Sequence, residues 1–432
     1  MRVGAHTLSR SSLIGLRADP AARRMALLWT VAIGIRLLVM PFTLHLDAYQ
    51  IYSRAAEAAY GGEWFGWTAQ LLIQSMHNVW LLLIRPLLPE SAGIWSETAS
   101  VVGVGASMAD YERFLAYEHV HRAIFLMKLP YLAADIGCAI LIGRLVAPAR
   151  RFAAMALWLL NPLVIYSTAV FGRHDVLAIF LVLLALAAAR RATDGYRLGG
   201  LLLLGAATLM RFFPVVLVPF YLLAFKRSNR QLVGAIAVLG GMYALVEIVG
   251  IAATGNSPTL EILNTHQHFE NWLDAGLYLR FDDWIFIFPL LYALGLLWVS
   301  ERGLAPDEYP LLAAAAFLAL FGLTFFHPHY AIWLVPFLAL TINNSRRMVV
   351  YHSLQIICII IYAMQWGSWT TWEVLRPALG NDVASLPDPY AAISGQIEAR
   401  SFFGVFRTLL TALSLWMAWS LLRPLLRRPV DG

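Results

Sequence analysis

Runs of about twenty apolar residues recur along this chain, and that spacing constrains it more than any other feature, because about 20 helical residues cross the hydrocarbon of a bilayer. Such runs occupy 25–44, 122–145, 153–170, 175–190, 231–253, 284–300, 309–325, 329–342, 347–366 and 402–423. Of the 432 residues, 60% are hydrophobic and 13% charged, and soluble domains carry about twice that charge. An ordinary soluble domain and a disordered chain are thereby excluded. The net charge of +6 does not point to nucleic acid, since the basic residues are scattered one to three at a time. Cys138 and Cys358 both lie in apolar runs and suggest neither a disulfide framework nor a thiolate metal site. Arg2, Arg10, Arg17, Arg23 and Arg24 precede the first run, which is too long for a signal-peptide core and reads as a retained span.

Residues 197–225 are too long for one span and short for two, with Arg211 and Pro214 at their centre. Charge placement favours a hairpin of two half-length helices. With it the chain has about twelve spans (11 to 13) and both termini in the cytoplasm, and 20 of the 32 basic residues fall on that side, as the positive-inside rule requires. The same topology puts 18 of 26 carboxylates outside, with every histidine except His6 and His352. The expected fold is an all-α integral membrane protein, one polytopic domain over 1–432, with its chemistry on the outer face. The outer loop 45–121 contains Trp64, Phe65, Trp67 and the run Trp80–Leu88, which read as interfacial amphipathic helices. The loops 254–283 and 367–401 carry turn signals at Gly255-Asn256-Ser257-Pro258 and Leu386-Pro387-Asp388-Pro389, and read as a lid over an outward cavity.

Asp47, directly after the first span, is the sharpest candidate. A carboxylate at the membrane boundary accepts a proton from an attacking hydroxyl, and a partly apolar setting raises its pKa toward a useful value; the alternative is a boundary residue or helix cap. In the short turn Phe171-Gly172-Arg173-His174-Asp175, Asp175 is a cap or a site residue, and Arg173 and His174 suit a departing phosphate. Pro328 forbids a helical course in Phe325-Phe326-His327-Pro328-His329-Tyr330, so both imidazoles can face one cavity. The His-x-His pairs 119/121, 266/268 and 327/329 invite a metal reading, but residues two apart on a helix diverge and no fixed ligand spacing accompanies them. Arg36, Lys128, Asp135 and Glu247 lie within spans and each needs a partner. Lys128 and Asp135 share a helix face and suggest a charge network with Arg36. Arg211 sits where a broken backbone and a cation suit an anion, or else snorkels to the surface.

Taken in order, Asp47-x-Tyr49, Lys128-Leu129-Pro130 with Asp135, Leu160-Asn161-Pro162 leading to Phe171–Asp175, Arg211-Phe212-Phe213-Pro214 and the segment His327 to Pro336 resemble the GT-C class of polyprenyl-phosphate-sugar glycosyltransferases. The similarity is greatest to the bacterial mannosyltransferase-like branch that includes the phosphatidylinositol mannoside enzymes. The resemblance implies a GT-C-like bundle in the bacterial plasma membrane. It implies inverting transfer of a sugar, mannose first among candidates, from a polyprenyl-phosphate donor to a lipid or glycan hydroxyl, for glycolipid or cell-envelope synthesis. Asp47 would be the catalytic base. Arg211, His327, His329 and Arg173 would hold the donor phosphate, and His45, Tyr49, His174, Asp175, Tyr330 and Lys128 would line the substrate cavity. Many relatives have Lys where this chain has Arg211, and Gln or Glu near His174. Relatives with two carboxylates in the first motif suit a divalent cation, whereas only Asp47 occurs between Leu44 and Tyr49; the expectation is a reaction that requires no cofactor or metal, with a divalent cation as the alternative. A lipid or solute transporter, or an O-antigen ligase or polymerase, are the competing readings. The former would place its functional groups near the midplane, and the latter would prefer a diphosphate-linked glycan.

Overall fold

The computed structural model describes residues 19–67, 69–99, 105–191, 194–225, 228–265, 272–281 and 283–426. It is helical nearly throughout. Among the described residues the strands are one short antiparallel hairpin, Gly276–Tyr278 with Trp284–Phe286, which the hydrophobic pattern does not signal. Among the described residues five helices are long and apolar enough to cross a membrane: Pro20–Phe42, Val120–Leu145, Asn229–Thr254, Arg346–Thr370 and Ala399–Leu426. A sixth results if the bent pair Pro148–Leu159 and Pro162–Phe171 counts as one span. Other apolar helices, such as Asp175–Ala189 and Tyr309–Leu323, are shorter than a full span.

Local chemistry sets the boundaries that matter for the site. Asp19 accepts the N–H of Ala21 at 2.8 Å, and Pro20 opens the first helix. At Asn161-Pro162 the proline has no N–H to continue a helix and the asparagine side chain accepts from Leu163 N at 3.0 Å, so the two halves meet at 47°. The second half ends on Gly172, at φ 83°. That left-handed conformation favours glycine and turns Arg173-His174-Asp175 into the bundle. Residues 197–225 form two helical pieces: Asp194–Met210 stops at Arg211, and Phe213–Leu217 with Val218–Phe225 follows. Tyr221 Oη donates to Arg197 O at 3.1 Å, so the second piece returns beside the start of the first as a hairpin.

Exposure shows which surfaces lack protein partners. Asn229–Thr254 buries only Gly250, and leaves Val233 67% and Leu245 62% exposed. The helix Leu71–Ile84 turns Gln74, His77 and Asn78 inward while Val79, Leu82 and Leu83 face out. This polarity inverts that of a water-facing helix and suits one lying against lipid.

The buried charges pair differently from expectation. Arg36 Nε lies 2.5 Å from Asp135 Oδ2, its Nη1 donates to Leu159 O at 2.8 Å, and Asp135 also accepts from Trp158 Nε1 at 2.7 Å. Lys128 is not part of that network. Its Nζ donates among the carbonyls of Met40, Thr43, Ala169 and Val170, tying the end of the first helix to the turn before Gly172. An ammonium so enclosed does not line a substrate cavity, which corrects the expectation for Lys128. Glu247 accepts from Ser257 Oγ and from Thr259 N at 3.2 Å, and so anchors the start of Pro258–Thr265.

Candidate functional site

Four segments distant in sequence converge at one end of the bundle: the start of Leu46–Ala56, the turn Gly172–Asp175, the break at Arg211 and the turn at His327–Tyr330. His45 prepares the first of them. Its Nδ1 accepts the N–H of Asp47 at 3.2 Å as the helix cap, and its ring stacks on Phe171 at 3.9 Å and meets the edge of Trp369 at 4.9 Å. Asp47 thus stands in a first helical turn, where backbone N–H groups favour an anion. Its Oδ2 lies 3.3 Å from Arg173 Nη1 and its Oδ1 3.4 Å from His45 Nδ1, with the side chain 36% exposed.

Burial pushes the Asp47 carboxyl upward, but His45, Arg173 and His327 outweigh it and hold the group well below the usual carboxylate range. The expected upward shift is therefore reversed. The apolar walls exist, yet charged neighbours, with the Arg173 guanidinium 3.3 Å away, dominate them.

Behind Asp47, Asp175 is completely buried. Its Oδ1 accepts from Arg211 Nε at 3.0 Å and from Trp333 Nε1 at 2.9 Å, and its Oδ2 is 3.7 Å from Arg173 Nε. His174, not Asp175, occupies the cap position and no side chain caps that helix. Asp175 therefore holds two guanidiniums side by side that would otherwise repel. Arg211 Nη1 also reaches Gln70 Oε1 at 3.2 Å and His174 Nε2 at 3.4 Å. The Tyr330 ring lies 5.8 Å from the Arg173 guanidinium and 5.4 Å from that of Arg211. Pro328 starts a tight 3-10 turn, so the rings of His327 and His329 come to lie parallel with centroids 5.8 Å apart. Burial, then Arg211 and Arg173, lowers the pKa of His174, and burial lowers that of His327. Both imidazoles are neutral at neutral pH.

The cluster is incomplete as it stands. His45 Nε2, Arg173 Nε, His174 Nδ1, Asp175 Oδ2 and both ring nitrogens of His329 are buried without a hydrogen-bond partner. Each such group costs about 1–3 kcal/mol. Their concentration in one place leaves hydrogen-bonding capacity there for water or a polar ligand to meet. Past Arg211 the site opens into a cavity of about 270 Å3. Its walls include Gln70, Leu209, Phe212, Val246, Leu263 and Trp272, and the outward-facing helix Asn229–Thr254 forms one side.

The structure thus brings together His45, Asp47, Arg173, His174, Asp175, Arg211, His327, His329 and Tyr330. Tyr49 is elsewhere. Two residues beyond Asp47, it points to another face of the helix, packs on Trp95, Tyr111 and Phe114, and donates to Ile94 O at 2.9 Å. It ties Leu46–Ala56 to the segment around Ile94 and Asp110, which corrects its assignment to the cavity.

Sequence reasoning missed His77, whose ring lies 5.4 Å from His174. Its Nδ1 must carry the hydrogen that meets Ile73 O at 2.7 Å, so Nε2 accepts from Tyr131 Oη at 2.7 Å. Burial pushes its pKa down to about 4. The legible signal was the polar stripe Gln74, His77, Asn78 on an otherwise apolar helix. Gln70 and Trp333 carried no comparable signal.

His121 packs on Phe42 at 5.0 Å, apart from the cluster, and the pair 266/268 lies outside the described residues. Among the described residues no three His, Cys, Asp or Glu side chains gather as metal ligands. The donor set at Asp47 does not suit a divalent cation either, because a guanidinium already faces its carboxylate at 3.3 Å.

Fold and site together define an all-α chain with membrane-length apolar helices and a buried carboxylate–guanidinium cluster at one end of the bundle. No family model, curated protein or solved structure matches it.

Proposed function

We propose that this chain is an inverting glycosyltransferase that moves a sugar, mannose first among candidates, from a polyprenyl-phosphate donor to a hydroxyl acceptor at the outer membrane face. The observation that carries the reading is the unbroken sequence Asp47, Arg173, Asp175, Arg211, which joins a partly exposed carboxylate to an apolar cavity beside an outward-facing apolar helix. In this reading the chain crosses a bacterial plasma membrane about twelve times with both termini in the cytoplasm, and the donor enters sideways past Asn229–Thr254.

The residues then divide the reaction between them. The prenyl chain occupies the apolar cavity, and the phosphate meets Arg211 and Arg173, with His329 and His327 beside them, through charge-assisted hydrogen bonds. Asp47 takes the proton of the acceptor hydroxyl as that oxygen attacks the anomeric carbon. The bond from the anomeric carbon to the phosphate oxygen breaks on the opposite face, its electron pair remains on that oxygen, and the guanidiniums offset the charge. Polyprenyl phosphate leaves, and the configuration inverts. A phosphate drawn to Arg173 also competes with Asp47 for that guanidinium. Losing this partner raises the proton affinity of the carboxylate when the donor is in place.

The test is transfer from labelled polyprenyl-phosphate mannose to an acceptor extract by the purified protein. Wild type is expected to label the acceptor and Asp47→Asn is not; unchanged turnover in that variant overturns the base assignment. Movement of label across a sealed vesicle without a new covalent product would favour a transporter instead.

A further inference from the structure

We propose that the far end of the helix Asp194–Met210, away from Arg211, holds a site for one anionic diacyl phospholipid, with its chains in two apolar grooves beside Asn229–Thr254 and its phosphate on Arg197. Neither the grooves nor Arg197 enters the transferase reading, so the two proposals fail separately.

Arg197 stands in the first turn of Asp194–Met210 and Arg211 directly after its last residue, so at 1.5 Å per residue roughly 21 Å separate them along the axis. The helix Asn229–Thr254 touches Asp194–Met210 at Gly205, where an added Cβ would lie 2.8 Å from Met242 Sδ and 3.0 Å from a methyl of Leu239. A cavity lies on each side of that contact. Toward Arg211 it is the one already described; toward Arg197 it is a groove of about 370 Å3 walled by Leu198, Leu201, Phe225 and Val238. A second apolar groove, of about 300 Å3, runs past Pro219, Leu223, Leu296 and Leu297. Leu222 and Leu232 line both grooves and divide them as a ridge. Two adjoining apolar grooves on one ridge match the two chains of a single diacyl lipid, beside a helix that leaves Val233 67% exposed and carries apolar residues along a membrane-spanning length.

Charge selects the class of lipid. Other arginines near these helix ends are engaged by the chain: Arg190 Nη1 donates to Leu145 O at 2.6 Å, Arg151 Nε donates to Gly143 O at 3.0 Å, and Arg302 pairs with Glu308 at 2.9 Å. Arg197 differs. Its carbonyl accepts from Tyr221 Oη at 3.1 Å, but its Nε is buried without a hydrogen-bond partner, and among the described residues its guanidinium forms no ion pair. No carboxylate lines either groove. A phosphodiester at Arg197 brings the acceptors that the chain does not supply, through charge-assisted hydrogen bonds. Arg230, exposed and next to the wall residue Gln231, adds to the positive field. That field attracts an anionic head group and repels the cationic end of a zwitterionic one. The bound lipid would fasten Asn229–Thr254 to the bundle where protein does not, and a ligand that binds only the folded state raises its stability.

Two variants separate head group from chains. Arg197→Gln removes the guanidinium and keeps the carbonyl that Tyr221 uses. Gly234→Phe fills the larger groove, since Gly234 lines it and a Cβ built there meets nothing within 4 Å. The experiment is native mass spectrometry of the delipidated full-length protein in detergent, titrated with phosphatidylglycerol or with phosphatidylcholine of the same chains. Wild type is expected to take one phosphatidylglycerol about tenfold more tightly than phosphatidylcholine, the size of a charge-assisted hydrogen bond, and to gain thermal stability from it. Arg197→Gln is expected to bind the two lipids alike, and Gly234→Phe to lose about tenfold for both, while each variant melts like wild type without lipid and Asp47→Asn keeps the wild-type preference. Equal binding of the two lipids by wild type would mean annular lipid only and overturns the proposal. So does a preference that survives Arg197→Gln, unchanged binding by Gly234→Phe, or a dimer that Gly234→Phe dissociates, which would make the grooves an interface between copies of the chain.

Discussion

The Arg36–Asp135 cluster and the Asp47–Arg173–Asp175–Arg211 cluster both bring opposite charges together away from water, and they are finished to different degrees. At Arg36–Asp135 the guanidinium and the carboxylate are fully engaged by each other, by Trp158, Thr168 and by the carbonyls of Ala32 and Leu159. At Asp47, Arg173, Asp175 and Arg211 the charges also pair, yet buried nitrogens and a carboxylate oxygen lack partners and the outermost carboxylate is partly exposed. A completed cluster can only hold helices together. An incomplete one has room in its hydrogen bonding for something that the chain does not supply.

That contrast can be broken in graded steps. The largest effect is expected from Arg36→Met, which strands Asp135 in the interior and should cost about 3–5 kcal/mol, seen as a collapse of thermal stability; the double variant Arg36→Met, Asp135→Leu should recover most of it. If the single variant melts like wild type, the inner pair is not structural and the contrast fails. Asp47→Asn should do the opposite, lowering kcat of the proposed transfer by about 10²–10⁴ with a much smaller loss of thermal stability than Arg36→Met, since Asp47 is partly exposed. Arg211→Gln should weaken donor binding by roughly ten- to a hundredfold, the size of a lost charge-assisted hydrogen bond. It should also cost some stability, because Asp175 keeps only Arg173 and Trp333; undiminished donor affinity would remove Arg211 from the proposed phosphate site.

The smallest effects are in pH. Asp47 is depressed in the folded protein, so its stabilising contribution is complete above the unfolded value of about 3.9 and is lost only as pH falls below that. The acid limb of the proposed transfer activity, measured without bound donor, should lie below the usual carboxylate range, and Arg173→Gln should move it upward. His77 is depressed to about 4 from about 6.5. Its neutral form therefore adds stability above pH 6.5 that declines as pH falls from 6.5 toward 4, and a His77→Gln variant should flatten that decline in melting curves.

Much of the scaffold was legible in the chain. The apolar runs 122–145, 231–253 and 402–423 anticipate the helices Val120–Leu145, Asn229–Thr254 and Ala399–Leu426 to within a few residues, because twenty apolar residues in a row have few other ways to fold. The break at Arg211–Pro214 and the turn at Gly172 were legible for the same local reason, as proline and glycine act on their own backbone. What failed was facing. Lys128 and Asp135 share a helix stripe, but their partners are chosen by neighbouring helices: one meets carbonyl ends and the other Arg36. Tyr49 lies two residues from Asp47 and on another side of the same helix.

Sequence alone thus determined that this chain is helical, membrane-length in its apolar runs and sparing with charge, since those are properties of composition and period. It also singled out Asp47, Arg173, His174, Asp175, Arg211, His327 and His329 as charges and imidazoles placed beside breaks in those runs. Only the tertiary structure decided that they belong to one cluster, that Asp175 rather than solvent separates the two guanidiniums, and that Asp47 is held ionised instead of being pushed toward neutrality. The reason is physical: hydrophobicity acts along the chain and can be read there, whereas a Coulomb interaction depends on distances of 3–4 Å between segments that more than a hundred residues separate.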